Sequence, residues 1–130
     1  MGLFVTFEGI EGSGKSTQIK LLSAYLETQH IPFIVTREPG GTPVGEQIRN
    51  IFLKKSNSDI TPVTELLLVT AARVQHCTQV IKPALEQGKV VLCDRFFDAT
   101  VAYQGYAEGV DIDAVFSTHR LFLNDITPDI

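Results

Sequence analysis

The sequence predicts an α/β fold in which helices cover both faces of a parallel sheet, giving a three-layer sandwich. Short apolar segments rich in β-branched and aromatic residues alternate with stretches of helical spacing. A glycine-rich loop joins the first strand to the first helix, and charged residues follow each apolar segment, where parallel strands deliver their carboxyl ends. The length of 130 residues corresponds to one domain, so we expect a single domain over 1–130.

Composition and charge argue against several classes of function. The chain is 44% hydrophobic and 20% charged, a usual globular balance, with a formal net charge of −4. A negative net charge speaks against broad binding to nucleic acid or anionic membranes. The sequence shows neither a membrane-span length of apolar residues nor the pattern of a secretory signal. We therefore expect a cytoplasmic protein with no nucleic-acid or membrane partner, in which Cys77 and Cys93 are buried free thiols.

The first strand, residues 3–7, leads into a phosphate-binding motif, Gly9-x-x-x-x-Gly14-Lys15-Ser16, that opens a helix. Glycines let backbone amides wrap around a polyphosphate, and the helix directs its positive N-terminal end at the same anion. We expect Lys15 to reach the β- and γ-phosphates and the Ser16 hydroxyl to ligate Mg²⁺. These features are typical of a P-loop NTPase. The residues expected at the phosphates of ATP are Gly9, Ile10, Glu11, Gly12, Ser13, Gly14, Lys15, Ser16 and Thr17.

The second strand is expected at residues 33–36, after a helix that ends near residue 30 because Pro32 disfavours the α conformation of its predecessor. A strand, a helix and a strand within this length predict a right-handed parallel βαβ unit. Arg37 follows the second strand directly. It is either a ligand for a second anion in the crevice beyond the strand ends or a solvated arginine beside a Pro-Gly turn.

The longest helix is expected over residues 62–87, with Thr61 as its N-cap. Arg73 falls in the middle of its apolar face, and a buried guanidinium group needs a partner. Either a protein carboxylate or a ligand phosphate supplies that partner, and the position of the helix near the crevice favours the phosphate. Leu68, on the opposite face, gives weak support to a dimer formed through this helix.

A third strand is expected over residues 89–95 and carries an acid, Asp94, at its tip. The Asp94 carboxylate suits the part of a phosphate site that orients Mg²⁺ and its waters. Arg95 is a third arginine at a loop or crevice position, with Arg37 and Arg73. Because the guanidinium fork matches phosphate oxygens, three arginines indicate that the acceptor is itself a phosphate. Such an acceptor is already ionised, so catalysis needs alignment and charge neutralisation. The DxxG and NKxD motifs of GTPases do not occur. The sequence therefore favours a nucleoside-monophosphate kinase.

Residues 96–105 mix aromatic with small polar side chains, and are either a nucleobase pocket or an amphipathic helix with core aromatics. A further helix is expected over 111–123. The final residues, 127–130, have the pattern of an approach to another strand. The sandwich is therefore predicted to be incomplete, with its C-terminal part absent.

Six segments resemble those of thymidylate kinases and occur in the same order: FEGIEGSGKST, TREPGGT, AARVQ, VIKPAL, DRFFDATVAYQG and TPDI. TREPGG and the DRF…AYQ segment resemble that family rather than P-loop kinases at large. The resemblance implies transfer of phosphate from ATP to dTMP, giving ADP and dTDP for dTTP biosynthesis, with Mg²⁺ as cofactor and a homodimer through helix 62–87. The alternatives are another P-loop deoxynucleotide or nucleoside kinase, or a non-catalytic ATP-binding module.

The resemblance also implies roles for individual residues. Lys15, Asp94 and Arg95 would be catalytic, and Ser16 and Asp94 would hold the metal. Glu11 would lie near the deoxyribose hydroxyl, Thr100 and Gln104 would read the polar edge of thymine, and Tyr103 would pack on the sugar. Glu38-Pro39 resembles the cis peptide of the family. The dTMP contacts implied are Glu11, Arg37, Pro39, Val69, Arg73, Arg95, Thr100, Tyr103 and Gln104.

Three positions depart from the family pattern. Val69 stands where a thymine-stacking phenylalanine is common, and Ala99 replaces a frequent serine, so packing around the base is expected to differ. Gly12 means that the loop lacks the arginine of one branch of the family. The resemblance then implies a transition-state arginine on a lid after residue 130, and the 130 residues alone are predicted to be inactive or nearly so.

Overall fold

In a computed structural model, which describes residues 1–123 and 125–130, three strands form one parallel sheet. They are β1 (Leu3–Phe7), β2 (Phe33–Arg37) and β3 (Val90–Asp94), in the order β1-β3-β2. Val90 pairs with both Leu3 and Phe33, so the strands run in register and end at one edge. The predicted α/β architecture is confirmed. The two strands of the predicted βαβ unit are not neighbours, because β3 lies between them.

Six α-helices are described around the sheet, and two of them have the predicted kind of cap. Thr42 and Thr61 accept hydrogen bonds from the backbone amides of Gly45 (2.9 Å) and Thr64 (3.3 Å), and each is followed by a proline. The helices are α1 (Lys15–Thr28), α2 (Pro43–Leu53), α3 (Pro62–His76), α4 (Lys82–Glu86), α5 (Phe97–Thr100) and α6 (Ile112–Leu123).

The predicted single helix over 62–87 is wrong in detail, because a π-helical turn, Cys77–Ile81, separates α3 from α4. The amide of Lys82 donates to the carbonyl of Cys77, five residues back. This wide turn accommodates Pro83, which has no N–H to donate and whose ring would clash with a carbonyl four residues earlier in a regular α-helix. A second π-helical segment, Val101–Ala107, follows α5.

Alternate residues of the strands supply two cores on opposite faces of the sheet. Phe4 and Val91 face α3, α4 and α6, whereas Val5 and Leu92 face α1. Each large apolar side chain buried in this way stabilises the fold by about 1.5–3 kcal/mol. The first core contains the two free cysteines, Cys77 and Cys93, and burial raises the pKa of Cys77 to about 12. The three-layer arrangement and the buried thiols are as predicted.

The last residues lie against the free edge of β1. The amide of Thr6 donates to the carbonyl of Ile130 (2.9 Å), and the amide of Asp129 donates to the carbonyl of Phe4 (2.8 Å). The predicted approach to a further strand therefore contacts the sheet at β1. Among the described residues, no helix combines the length and apolarity needed to span a membrane.

Candidate active site

The phosphate loop joins the end of β1 to the start of α1. Gly14, in the left-handed region at φ 99°, is the N-cap of α1 and has no side chain to occupy the first amides of the helix. Those amides are left for an anion. The Lys15 ammonium reaches back across the loop and donates to the carbonyls of Gly9 (3.0 Å) and Ile10 (3.2 Å).

A cavity of about 320 Å³ opens above this loop and is lined mainly by charged side chains. It brings together predicted residues from three distant segments, because all three strands end at this edge of the sheet. Gly9, Ile10 and Ser13, which were also predicted at the phosphates, lie outside the lining. The residues that line this cavity are Glu11, Gly12, Gly14, Lys15, Ser16, Thr17, Arg37, Glu38, Arg49, Asp94 and Arg95.

Asp94 and Ser16 both line this cavity and a neighbouring one beside α1 and β2. One carboxylate oxygen of Asp94, Oδ1, is buried and has no hydrogen-bond partner among the described residues. An unpaired buried carboxylate oxygen near a hydroxyl group fits a hard cation such as Mg²⁺. No group of three or more acidic, histidine or cysteine side chains suited to a metal occurs in the described part of the chain. Mg²⁺ would therefore take most of its ligands from phosphate and water.

Arg95, directly after β3, has a strained backbone. Its φ of 68° is in the left-handed region, which costs a non-glycine residue about 1–3 kcal/mol and is most often tolerated at functional sites. Its amide donates to the carbonyl of Phe7, which anchors the conformation. The guanidinium group lies 5.8 Å from the ring centre of Tyr103, with one nitrogen 3.8 Å from the Glu11 carboxylate. Its Nε is buried without a partner among the residues described.

The partner of Arg73 is a protein carboxylate. Arg73 Nε donates to Glu38 Oε1 at 2.6 Å, and Nη2 donates to Thr100 Oγ1 (2.8 Å) and to the carbonyl of Phe96 (3.1 Å). Of the two alternatives for this partner, the structure has the protein carboxylate. The reason is that Glu38, at the end of β2, is brought beside α3 by the fold. Arg73 nevertheless lines a cavity, so its predicted contact with a ligand stays open.

Glu38 belongs to a buried network that links β2 to α3. Its second oxygen, Oε2, lies 2.8 Å from Nδ1 of His76, and Nε2 of His76 lies 2.6 Å from Oγ1 of Thr36. Glu38, Arg73 and His76 are at most 5% exposed. A buried ion pair of this kind holds its geometry because each charged atom has a partner. The network fixes the Arg73 guanidinium in one orientation.

Arg37 lines the first cavity and is paired on its outer side. Its Nη2 lies 2.9 Å from Oε2 of Glu46 in α2, and the two side chains are 51% and 40% exposed. Hydrogen bonds from Arg37 and from the Gly41 amide lower the pKa of Glu46. Arg37 is therefore both half-exposed and placed at the predicted crevice, and its contact with a second anion stays a prediction.

The charged residues near the site that sequence reasoning missed include Arg49, Glu65 and Glu8. Arg49 of α2 lines both the first cavity and a second one, and its Nη1 donates to the carbonyl of Pro39 (3.3 Å). Helical spacing from Gly45 to Phe52 could have placed Arg49 on the crevice side. Glu8 accepts the amide of Phe96 (2.8 Å), and burial raises the pKa of Glu8. No local pattern signalled that contact.

The second cavity, of about 280 Å³, adjoins the first and has mostly apolar walls. Eight of the nine predicted dTMP contacts line it, and the ninth, Arg37, lines the first cavity. The two cavities share Glu11, Glu38, Arg49 and Arg95. The residues lining the second cavity are Glu11, Glu38, Pro39, Arg49, Phe52, Leu53, Glu65, Val69, Arg73, Arg95, Phe96, Ala99, Thr100, Tyr103 and Gln104. The Glu38-Pro39 peptide is cis, as the resemblance implied.

The arrangement can be compared with known proteins. The family profile described as "Thymidylate kinase" matches residues 7–130. The chain belongs to the thymidylate kinase family. Its relatives include the thymidylate kinase of Geotalea daltonii, 54% identical over 130 residues, which are all of this chain and 61% of that protein. The thymidylate kinase of Symbiobacterium thermophilum is 46% identical over 140 residues, covering 100% of this chain and 65% of its own length.

A solved member of the family has the same fold. The crystal structure of thymidylate kinase from Ehrlichia chaffeensis superimposes with a TM-score of 0.91 at 44% sequence identity, covering 99% of this chain and 72% of that one. The P-loop NTPase sandwich predicted from the sequence is thereby confirmed. The chain spans roughly three fifths of the length of the curated relatives that it matches.

Proposed function

We propose that the protein transfers the γ-phosphoryl group of ATP to dTMP, giving ADP and dTDP, as a step towards dTTP. One observation carries the proposal: a charged cavity over the phosphate loop opens into an apolar cavity, and four residues line both. A triphosphate and a nucleoside monophosphate fit this pair of spaces head to head. Membership of the thymidylate kinase family supports the same pair of substrates.

On the ATP side, the chain supplies positive groups at fixed positions. The amides at the start of α1 and the Lys15 ammonium surround the β- and γ-phosphates. Lys15, which is held by loop carbonyls in the structure, exchanges those partners for phosphate oxygens. Ser16 and Asp94 would hold Mg²⁺, which supplies charge neutralisation at the phosphates.

On the dTMP side, the phosphate lies where the two cavities join and the base occupies the apolar one. Arg95 and Arg49 line both cavities and Arg37 faces the first, so three guanidinium groups neutralise charge as the two phosphates approach. The acceptor oxygen is already ionised and needs no general base. Catalysis consists of in-line alignment and electrostatic stabilisation.

The test is a coupled assay of ADP release on the full-length protein, with dTMP, dUMP, dCMP and thymidine as acceptors. We expect dTMP to be the best acceptor and Lys15→Ala to lower kcat by about 10²–10³-fold or more, because it removes a cation at the transferred group. Lys20→Ala, an exposed lysine in the same helix, is the matched control and should keep full activity. Nucleotide binding without dTMP-dependent ADP release would instead support a non-catalytic module.

We also propose one cytoplasmic domain that forms a homodimer through the helices within 62–87. The sequence placed Leu68 on the exposed face, but Leu68 is half-buried, and Val63 (57% exposed) and Leu67 (55%) are the outward apolar residues of α3. The inward face of α3 also includes the buried Ala72 and His76, four and eight residues after Leu68, so Leu68 borders that face. Light scattering of the full-length protein should give a dimer, and Leu67→Glu should shift it towards the monomer. A wild-type monomer at assay concentrations would refute this interface.

A further inference from the structure

The polar edge of the second cavity is formed by side chains with different hydrogen-bonding capacity. Arg73 can only donate, and it donates to Thr100 Oγ1 at 2.8 Å, so the proton of that hydroxyl is directed to another acceptor. Gln104, only 5% exposed, carries both a donor and an acceptor on one amide. The carbonyl end and the NH₂ end of this amide would select different bases, so the orientation of the amide matters for base recognition.

Glu65 determines that orientation. The Nε2 group of Gln104 donates to Glu65 Oε1 at 2.9 Å, and both side chains line the cavity. A carboxylate only accepts hydrogen bonds, so the NH₂ end of the amide must face Glu65 and the carbonyl end must face away from it. Glu65 comes from α3 and Gln104 from the π-helical segment Val101–Ala107, so the contact depends on the tertiary fold.

We propose that Glu65 is a positioning residue that locks the Gln104 amide and thereby selects thymine over cytosine. This inference rests on the proposed function and names the group that sets its base specificity. Thymine has an N3–H donor between two carbonyl acceptors, which complements an amide carbonyl next to the donors Thr100 and Arg73. Cytosine has an acceptor at N3 and a donor at its 4-amino group. Cytosine would therefore place its N3 acceptor against the amide carbonyl and its 4-amino donor against the donors Thr100 and Arg73.

A second carboxyl group, that of Glu108, lies beside Glu65. Burial raises the pKa of Glu108, and the neighbouring charge of Glu65 and a hydrogen bond to it raise it further. Glu108 is therefore a nearby carboxyl group against which the role of Glu65 can be tested.

The experiment compares kcat/KM for dTMP, dUMP and dCMP in the full-length wild type and its Glu65→Gln variant. The glutamine has the same shape but can donate, so it lets the Gln104 amide turn over. We expect the dTMP to dCMP ratio to fall about tenfold or more, because one mismatched buried pair becomes matched for cytosine. The dTMP to dUMP ratio should not change, since both bases carry N3–H. A structural defect would lower all three values together.

Glu108→Gln is the matched control, since it removes the neighbouring carboxylate and leaves Glu65 in place; it should keep the wild-type ratios. Glu65→Met frees the Gln104 amide without adding a polar group, and it replaces Glu65→Gln in the experiment if that variant does not fold. Calorimetric titration with dTMP and with dCMP gives an independent measure of the ratio. A wild type that prefers dTMP, together with Glu65 variants of unchanged dTMP to dCMP ratio, overturns the role of Glu65 alone. A wild type that does not phosphorylate dTMP overturns the proposed function and this inference with it.

Discussion

Removing the charge of Glu38 tests whether the buried network holds the site together. Glu38 is 5% exposed and contacts Arg73 Nε at 2.6 Å and His76 Nδ1 at 2.8 Å. Glu38→Ala would leave a guanidinium group that is 3% exposed with only Thr100 and the Phe96 carbonyl as hydrogen-bond acceptors among the residues described. Loss of one partner of a buried ion pair costs about 3–5 kcal/mol.

Glu38→Gln should cost less, because the amide keeps one acceptor and supplies one donor. Two hydrogen bonds lose the negative charge of their acceptor, and each loses about 1–1.5 kcal/mol, so the expected loss is about 2–3 kcal/mol. Either value is a large part of the 5–15 kcal/mol that is typical of whole domains. The order, alanine worse than glutamine, follows from the geometry of the pair.

The assay is equilibrium unfolding in urea of the full-length protein, with the m-value checked for each variant. Glu46→Gln is the matched control, since it neutralises the exposed carboxylate paired with Arg37 and should cost at most about 1 kcal/mol. Placing Glu38→Gln in an Arg73→Met background should reduce its cost, because no guanidinium is then left unpaired. Equal losses for Glu38→Gln and Glu46→Gln would refute the reasoning.

Three further predictions concern Arg49, His119 and the two cysteines. Arg49→Met should raise KM for dTMP about tenfold and leave KM for ATP nearly unchanged, because Arg49 lies where the cavities join; equal rises in steady-state assays would contradict this. Burial, and then the charge of Arg73, lower the pKa of His119 from 6.5 to about 4. His119 therefore takes up a proton at a higher pH in the unfolded chain than in the folded protein. As pH falls from 6.5 to 4, the free energy of unfolding should drop by about 1–2 kcal/mol, a value reduced because the ring is only half-buried. His119→Gln should remove that slope in urea titrations at several pH values. Cys77 and Cys93 are both buried and should not react with a thiol reagent until the protein is unfolded. The absorbance of the thiolate that the reagent releases on reaction measures this.

Features that are local in sequence could be predicted before the structure. The phosphate loop, the strand that ends in Asp94 and the capped start of α3 each depend on neighbouring residues, and the structure has all three. Residues 3–7 and 90–94 agree with their expected strands to within a residue. Parallel pairing then brings the strand ends to one edge without further information.

Features set by contacts between distant segments could not be predicted. Glu38 and Arg73 meet only because β2 ends beside α3, and no spacing in the sequence announces that pair. A proline disturbs a helix, but whether Pro83 causes a kink or a π-helical turn depends on how the following residues pack. Leu67 and Leu68 are neighbours, 100° apart around the helix axis. An error in the predicted rotation of the helix about its axis therefore exchanges which of them faces outward.

The order of the strands also constrains how the protein folds as it emerges from the ribosome. The middle strand, β3, is the last of the three to be synthesised, and both outer strands bond only to it among the described strands. Until residues 90–94 leave the exit tunnel, neither Leu3 nor Phe33 has its native partner, although α1 can already form. Until then the nascent chain carries two apolar strands with unpaired edges, which are the sites at which it is most prone to pair with other chains.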